Sequence, residues 1–169
     1  MQDVDEFLIP NIHDNLTSLL NQLNRPQIAS FSFQNVFFYL YWSNSSKVED
    51  SPGYLLTQYK TTRLQRIHRH GSRSKYVVKP ENVMECGNHN IWLYRLGKRQ
   101  FKVNETLGLS HHYRICEYGG YSCTSHPAVT DERALHWSSR LLPAVSEACS
   151  NIFTDTRVCP QAPSLGSPY

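Results

Sequence analysis

No apolar run in this sequence approaches the ~20 residues that a membrane-spanning helix needs, so none of its own segments reads as a transmembrane helix. The opening residues do not have the charged, apolar and small-residue pattern of a secretory leader. No internal repeat is visible. Charge of either sign is in short supply: 17 basic and 14 acidic residues give a formal net charge of +3. Such a balance neither supports nor excludes an anionic partner. It comes without the basic stripe and interleaved aromatics of a nucleic-acid binder. The nearest approach is Lys60, Arg63, Arg66, Arg69, Arg73 and Lys75, which read as a solvated face or a loop, so no nucleic-acid partner is expected. Cysteine is sparse and odd in number. If four of the five (Cys86, Cys116, Cys123, Cys149, Cys159) pair, one thiol is left over.

At 169 residues, 40% of them apolar or aromatic, the chain has the material for one domain with its own core. Asn15, Asn44 and Asn104 each open an Asn-x-Ser/Thr sequon, Asn44 in the most loop-like surroundings. Cysteines and sequons together lean toward the secretory lumen, where disulfides persist.

Leu16, Leu19, Leu20 and Leu23 recur at i, i+3, i+4 and i+7, which predicts a helix over 14–24, capped by Asp14 or Asn11 and stopped by Pro26. Phe31, Phe33, Val36, Phe37 and Phe38 predict a strand at 29–33 and an extended segment at 36–42. Residues 43–53 read as a loop, and 54–66 as either a short helix or an irregular connector. A strand follows at 75–79. Pro80 and Glu81 then predict a short helix to Cys86, with Gly87 as its stop. Strands are predicted at 90–96, before a Gly97-Lys98 turn, and at 107–113. After a loop over 117–129, a helix is expected from near Thr130 to Phe153, with Asp131 and Glu132 in its first turn and Ala134, Trp137, Leu141, Val145, Cys149 and Ile152 on one face. Pro143 should kink or split it. Residues 1–155 form the domain, and the Pro-rich 156–169 are expected to be a disordered tail.

The most informative stretch is Asp3-Val4-Asp5-Glu6-Phe7-Leu8-Ile9-Pro10. Alternate residues of an extended segment point to one side. Asp3 and Asp5 at the tip of a strand can therefore face one divalent cation. Hard carboxylate oxygens suit Mg²⁺ or Mn²⁺, which complete their shells with water and substrate phosphates.

With Ser74-Lys75-Tyr76-Val77-Val78-Lys79-Pro80, Gly87-Asn88-His89 and His111-His112-Tyr113-Arg114 following in order, the chain resembles glycosyltransferase family 92. The resemblance runs over about residues 1–153, strongest at 3–10 and 72–114 and weak between 43 and 66. It implies an α/β fold of GT-A type, a mixed sheet with flanking helices. Only Met1 and Gln2 precede the aspartates, so it further implies the C-terminal portion of such a domain, beginning at the Asp-x-Asp motif, with the N-terminal nucleotide-binding half missing. The implied activity is metal-dependent, inverting transfer of a hexose to a glycan acceptor, galactose from UDP-galactose being the first candidate. The implied setting is the Golgi or secretory-pathway lumen, with membrane attachment only through a missing N-terminal anchor.

In that frame Asp3 and Asp5 hold Mn²⁺ (or Mg²⁺), and His112, from the His-Tyr-Arg signature, is the candidate third ligand. His111 would point the other way along an extended strand. Arg114, on the face of His112, could pair with a diphosphate or with Glu6, and Lys75 could act similarly as a point charge. Glu6, Lys75, His89 and Arg114 are thus candidates for donor or acceptor binding. Trp42, Trp92 and Tyr113 could stack on sugars. Glu105, Glu117, Asp131 and Glu132 are available acids, but no spacing marks one as the general base.

Two other patterns compete. Arg69-His70-Gly71-Ser72-Arg73 resembles the phosphorylated-histidine motif of histidine acid phosphatases, but Ser74 stands where that motif has Pro. Cys86-x₂-His89 with His112-x₃-Cys116 has zinc-site spacing. The alternative outside enzymology is a catalytically silent fold, interaction or glycan-binding module.

Overall fold

A computed structural model describes residues 2–45, 55–116 and 122–160. Residues 46–53 of the loop expected at 43–53 and residues 117–121 of the one expected at 117–129, with the candidate acid Glu117, lie outside the described residues, as does most of the expected tail. In chain order the elements are β1 (Glu6–Pro10), α1 (Leu16–Leu23), β2 (Ile28–Phe33), β3 (Asn35–Tyr39), α2 (Leu56–Tyr59), β4 (Thr62–Leu64), β5 (Lys75–Val78), β6 (Val83–Cys86), β7 (Ile91–Tyr94), β8 (Arg99–Lys102), β9 (Gly108–Arg114), β10 (Ala128–Thr130) and α3 (Ser138–Ile152). They fall into two compact units, Met1–Phe37 with Leu64–His112, and Phe38–Arg63 with Tyr113–Tyr169.

The first unit carries its core on β2. This strand is buried along its whole length, with β5 antiparallel on one side and β8 parallel on the other. Its sequence, Ile-Ala-Ser-Phe-Ser-Phe, puts two hydroxyls inside, and each has a partner: Ser30 Oγ lies 2.8 Å from Tyr94 Oη, and Ser32 Oγ 3.1 Å from His70 Nδ1. Leu19, Ile28, Phe31, Phe33 and Val103 form the buried cluster, and Leu16, Leu20 and Leu23 of α1 pack on its edge. Each such side chain contributes about 1.5–3 kcal/mol on full burial. The leucine periodicity is what seats α1. Its cap is Asn15, whose side chain accepts from Ser18 N at 2.8 Å, rather than Asp14 or Asn11.

A second sheet, ordered β1-β9-β3, brings the N-terminal strand against one that follows it by about a hundred residues. The antiparallel register sets Glu6 opposite His112 and Phe7 opposite His111.

Sequence and structure part company at 80–86. Pro80–Asn82 makes a single 3₁₀ turn, and Val83–Cys86 continues as β6, paired antiparallel with β7, where a helix is predicted. The local start signal of Pro80 and Glu81 is outweighed by the pairing of Val83, Glu85 and Cys86 with Tyr94, Leu93 and Ile91. Gly87 then stops no helix. It lies flush against the Trp92 indole, where any side chain would collide with the ring.

In the second unit β4 pairs with β10, and Arg133–Trp137 forms a 3₁₀ turn before α3. The last helix therefore begins at Ser138, eight residues after the expected start, and runs through Pro143 without splitting. Asp131 does not serve its first turn, because its carboxylate is taken by Arg63 (2.7 Å) and Arg133. Of the α3 face predicted to be apolar, Cys149 is buried whereas Ile152 is exposed. Cys149 bridges to Cys159 and Cys116 to Cys123, which leaves Cys86 as the odd, exposed thiol. Among the described residues no helix is long and apolar enough to cross a membrane.

Candidate functional site

Residues 3–6 form a tight turn ahead of β1, closed by Glu6 N donating to the Asp3 carbonyl at 3.2 Å. The turn projects Asp3 and Asp5 outward and folds Glu6 inward: the two aspartate side chains are 58% and 39% exposed, that of Glu6 only 2%. Cross-strand pairing brings His112 alongside, with Nδ1 3.0 Å from Glu6 Oε1 and Nε2 3.2 Å from Asp5 Oδ2. The ring rests edge-on against Phe37, centroids 5.3 Å apart.

Lys75 opens β5 and is 1% exposed. Its ammonium lies 3.0 Å from Glu6 Oε2, 3.1 Å from Asp3 Oδ2 and 3.3 Å from Asn88 Oδ1. Asn35, fully buried, donates to Glu6 Oε1 at 3.1 Å.

Burial works against ionisation of Glu6. The hydrogen bonds and charges of His112 and Lys75 outweigh it and hold the carboxyl at about 2. Lys75 mirrors this: burial disfavours its charge, but Glu6 and Asp3 overcome that and raise its pKa above the usual lysine value. A depressed carboxyl pKa stabilises the fold above the unfolded value of 4.5, and that contribution is lost as pH falls toward about 2. Urea titrations between pH 5 and pH 2 should therefore show a loss of about 3 kcal/mol traceable to Glu6, and the E6Q variant should lack that part of the pH dependence.

The sequence-selected residues thus separate. Asp5 and His112 come together, Asp3 is turned to Lys75, and Glu6 is enclosed. His89 sits in the loop after β6, its Nδ1 3.3 Å from the Ser74 carbonyl, as a loop tie. Arg114 belongs to the second unit, and its Nε donates to the Ile115 carbonyl at 3.2 Å. Asp131, buried between two arginines, is not placed to act as a base. Of the aromatic candidates, Tyr113 is buried and stacked on Phe38, Trp42 packs on Tyr39, and Trp92 is 67% exposed. Cys116 is in a disulfide and cannot complete a zinc site, and His70 is engaged by Ser32. Sequence reasoning missed Asn35 and Asn88. Asn88 stands inside the Gly-Asn-His motif, where its amide was a visible partner for a lysine.

Among the described residues no cluster of three His, Cys, Asp or Glu side chains converges to hold a metal ion. The donor chemistry does fit a cation held by two protein groups. Asp5 offers a half-exposed carboxylate beside an imidazole nitrogen, and Mg²⁺ and Mn²⁺ are commonly held by one or two protein side chains with water and phosphate in the other positions.

A family model described as Glycosyltransferase family 92 matches residues 1–144. No curated protein matches the sequence. Because the match starts at the first residue and spans nearly the whole chain, it overturns two expectations: that the likeness is to a C-terminal portion beginning at the Asp-x-Asp motif, and that a GT-A domain is present here without its N-terminal half. The quoted motifs sample the likeness and do not mark its limits.

Proposed function

The chain belongs to glycosyltransferase family 92, and from that premise we propose that it transfers a hexose from a UDP-sugar, UDP-galactose first among candidates, to a glycan acceptor with inversion at the anomeric carbon. The observation that carries the site assignment is the meeting of Asp5 and His112, 107 residues apart in sequence and 3.2 Å apart in space.

Breaking the anomeric C–O bond passes through an oxocarbenium-like state, with negative charge growing on the departing diphosphate. A Mn²⁺ or Mg²⁺ ion, when bound, supplies Lewis-acid neutralisation of that charge. Asp5 and His112 Nε2 would hold the ion. Lys75, itself enclosed, keeps Asp3 at the rim and adds a fixed positive charge to the same face. Stabilisation that grows with the breaking bond lowers the barrier and not merely the binding energy. The two disulfides support an oxidising setting, so the proposal extends to the lumen of the secretory pathway, the Golgi in particular.

Incubation of the protein with labelled UDP-galactose, UDP-glucose and a glycan panel, with and without Mn²⁺, tests this. Transfer or donor hydrolysis that requires the cation is the expected result. Absence of both UDP binding and Mn²⁺ binding overturns the enzymatic reading. Glycan binding with no turnover of any donor marks a silent binding module instead.

A further inference from the structure

The carboxylate of Glu6 is saturated from within the chain. Oε1 accepts from His112 Nδ1 (3.0 Å) and Asn35 Nδ2 (3.1 Å), and Oε2 accepts from Lys75 Nζ (3.0 Å) and, at 3.5 Å, from Asp3 N. Four donors fill the roughly four acceptor positions of a carboxylate, so nothing is left to contact a sugar or a diphosphate. Enclosure alone would suit a buried ion pair with Lys75. The pairing with His112 adds something more. Glu6 and His112 are direct cross-strand partners, so β1 and β9 deliver them to each other by register. Phe37 bears on the ring from another strand. With Nδ1 committed to Glu6, the ring turns Nε2 toward Asp5 and away from the interior.

We propose that Glu6 is a positioning residue: it holds the His112 imidazole by Nδ1 and the Lys75 ammonium at once, and so presents Nε2, beside Asp5, to the cation of the proposed site. This rests on the metal reading given above for Asp5 and His112. A carboxylate on the far nitrogen fixes ring orientation and proton position in metal-binding histidines, and losing it typically costs 10–100-fold in affinity.

The test is nitrogen-15 NMR of the imidazoles in the metal-free protein, at a pH where the ring is neutral, alongside Mn²⁺ titration followed by electron paramagnetic resonance. In the wild type the His112 proton is expected on Nδ1. In Glu6→Gln an amide replaces one oxygen, so either His112 or Lys75 loses its acceptor. The expected results are a shift of the proton toward Nε2 and Mn²⁺ affinity weaker by 10–100-fold, with KM for the acceptor unchanged. A wild-type proton on Nε2, or an E6Q protein with both the proton position and the Mn²⁺ affinity of the wild type, overturns the proposal. The wild-type spectrum decides the matter even if E6Q does not fold. A wild-type proton on Nδ1 in a protein that binds no Mn²⁺ upholds the Glu6 anchor and removes the metal reading, so the two failures are separable.

Discussion

Replacing Lys75 with methionine is expected to lower the unfolding free energy by about 3–5 kcal/mol. Methionine keeps the length and volume of the side chain and deletes only the ammonium. What remains is the Glu6 carboxylate, enclosed and ionised, without its nearest cation 3.0 Å away. A buried charge stripped of its partner costs far more than an exposed one, because neither water nor salt reaches it. Asp3, on the other side of the ammonium, is more than half exposed and adds little to the loss. Two controls isolate the cause. Asp3→Asn should change stability by under about 1 kcal/mol, and the E6Q/K75M pair should fall well short of the sum of its two single changes, since each removes the other's problem. Urea denaturation of the four variants beside the wild type is sufficient, and a K75M loss below ~1 kcal/mol would refute the buried pair as a stability element.

The second large effect concerns the rim. Asp5→Asn should reduce sugar transfer by about 100-fold or more, which corresponds to roughly 3 kcal/mol of transition-state stabilisation. The side chain is part-exposed and lies in the turn ahead of β1, where an ion pair adds little to stability, so the melting temperature should hold. Asp3→Asn should be the milder change, because its carboxylate is already engaged by Lys75. That inequality is a sharp test. The Asp-x-Asp spacing treats the two acids as equals, whereas the three-dimensional arrangement gives them different partners. Steady-state kcat and KM for both variants at saturating Mn²⁺ decide it, and equal losses would show that both carboxylates reach the ion.

The same contrast marks what was legible beforehand. Chemistry and local pattern were readable: the leucine face of α1, the strands around β2 and β9, and the pairing of an N-terminal acid with the late histidine. Partners supplied from far along the chain were not. Lys75 lies 72 residues from Asp3 and arrives there only because β5 pairs with β2. The choice between His111 and His112 was open on alternation alone, and the Glu6–His112 register settles which imidazole faces the acids. The polar strand Arg99–Lys102 went unnoticed because nothing in Arg-Gln-Phe-Lys advertises a parallel partner for β2. The helix expected at 80–86 was a local signal overruled by hairpin pairing.

The ladder between β1 and β9 also has a temporal side. During synthesis at about 5–20 residues per second, the N-terminal acids leave the ribosome some 5–20 s ahead of the histidine that completes their surroundings. For that interval the nascent chain must carry Glu6 in water. Enclosing that carboxylate therefore waits until β9 has been made, and a translation product halted before Gly108 would be barred from this arrangement altogether.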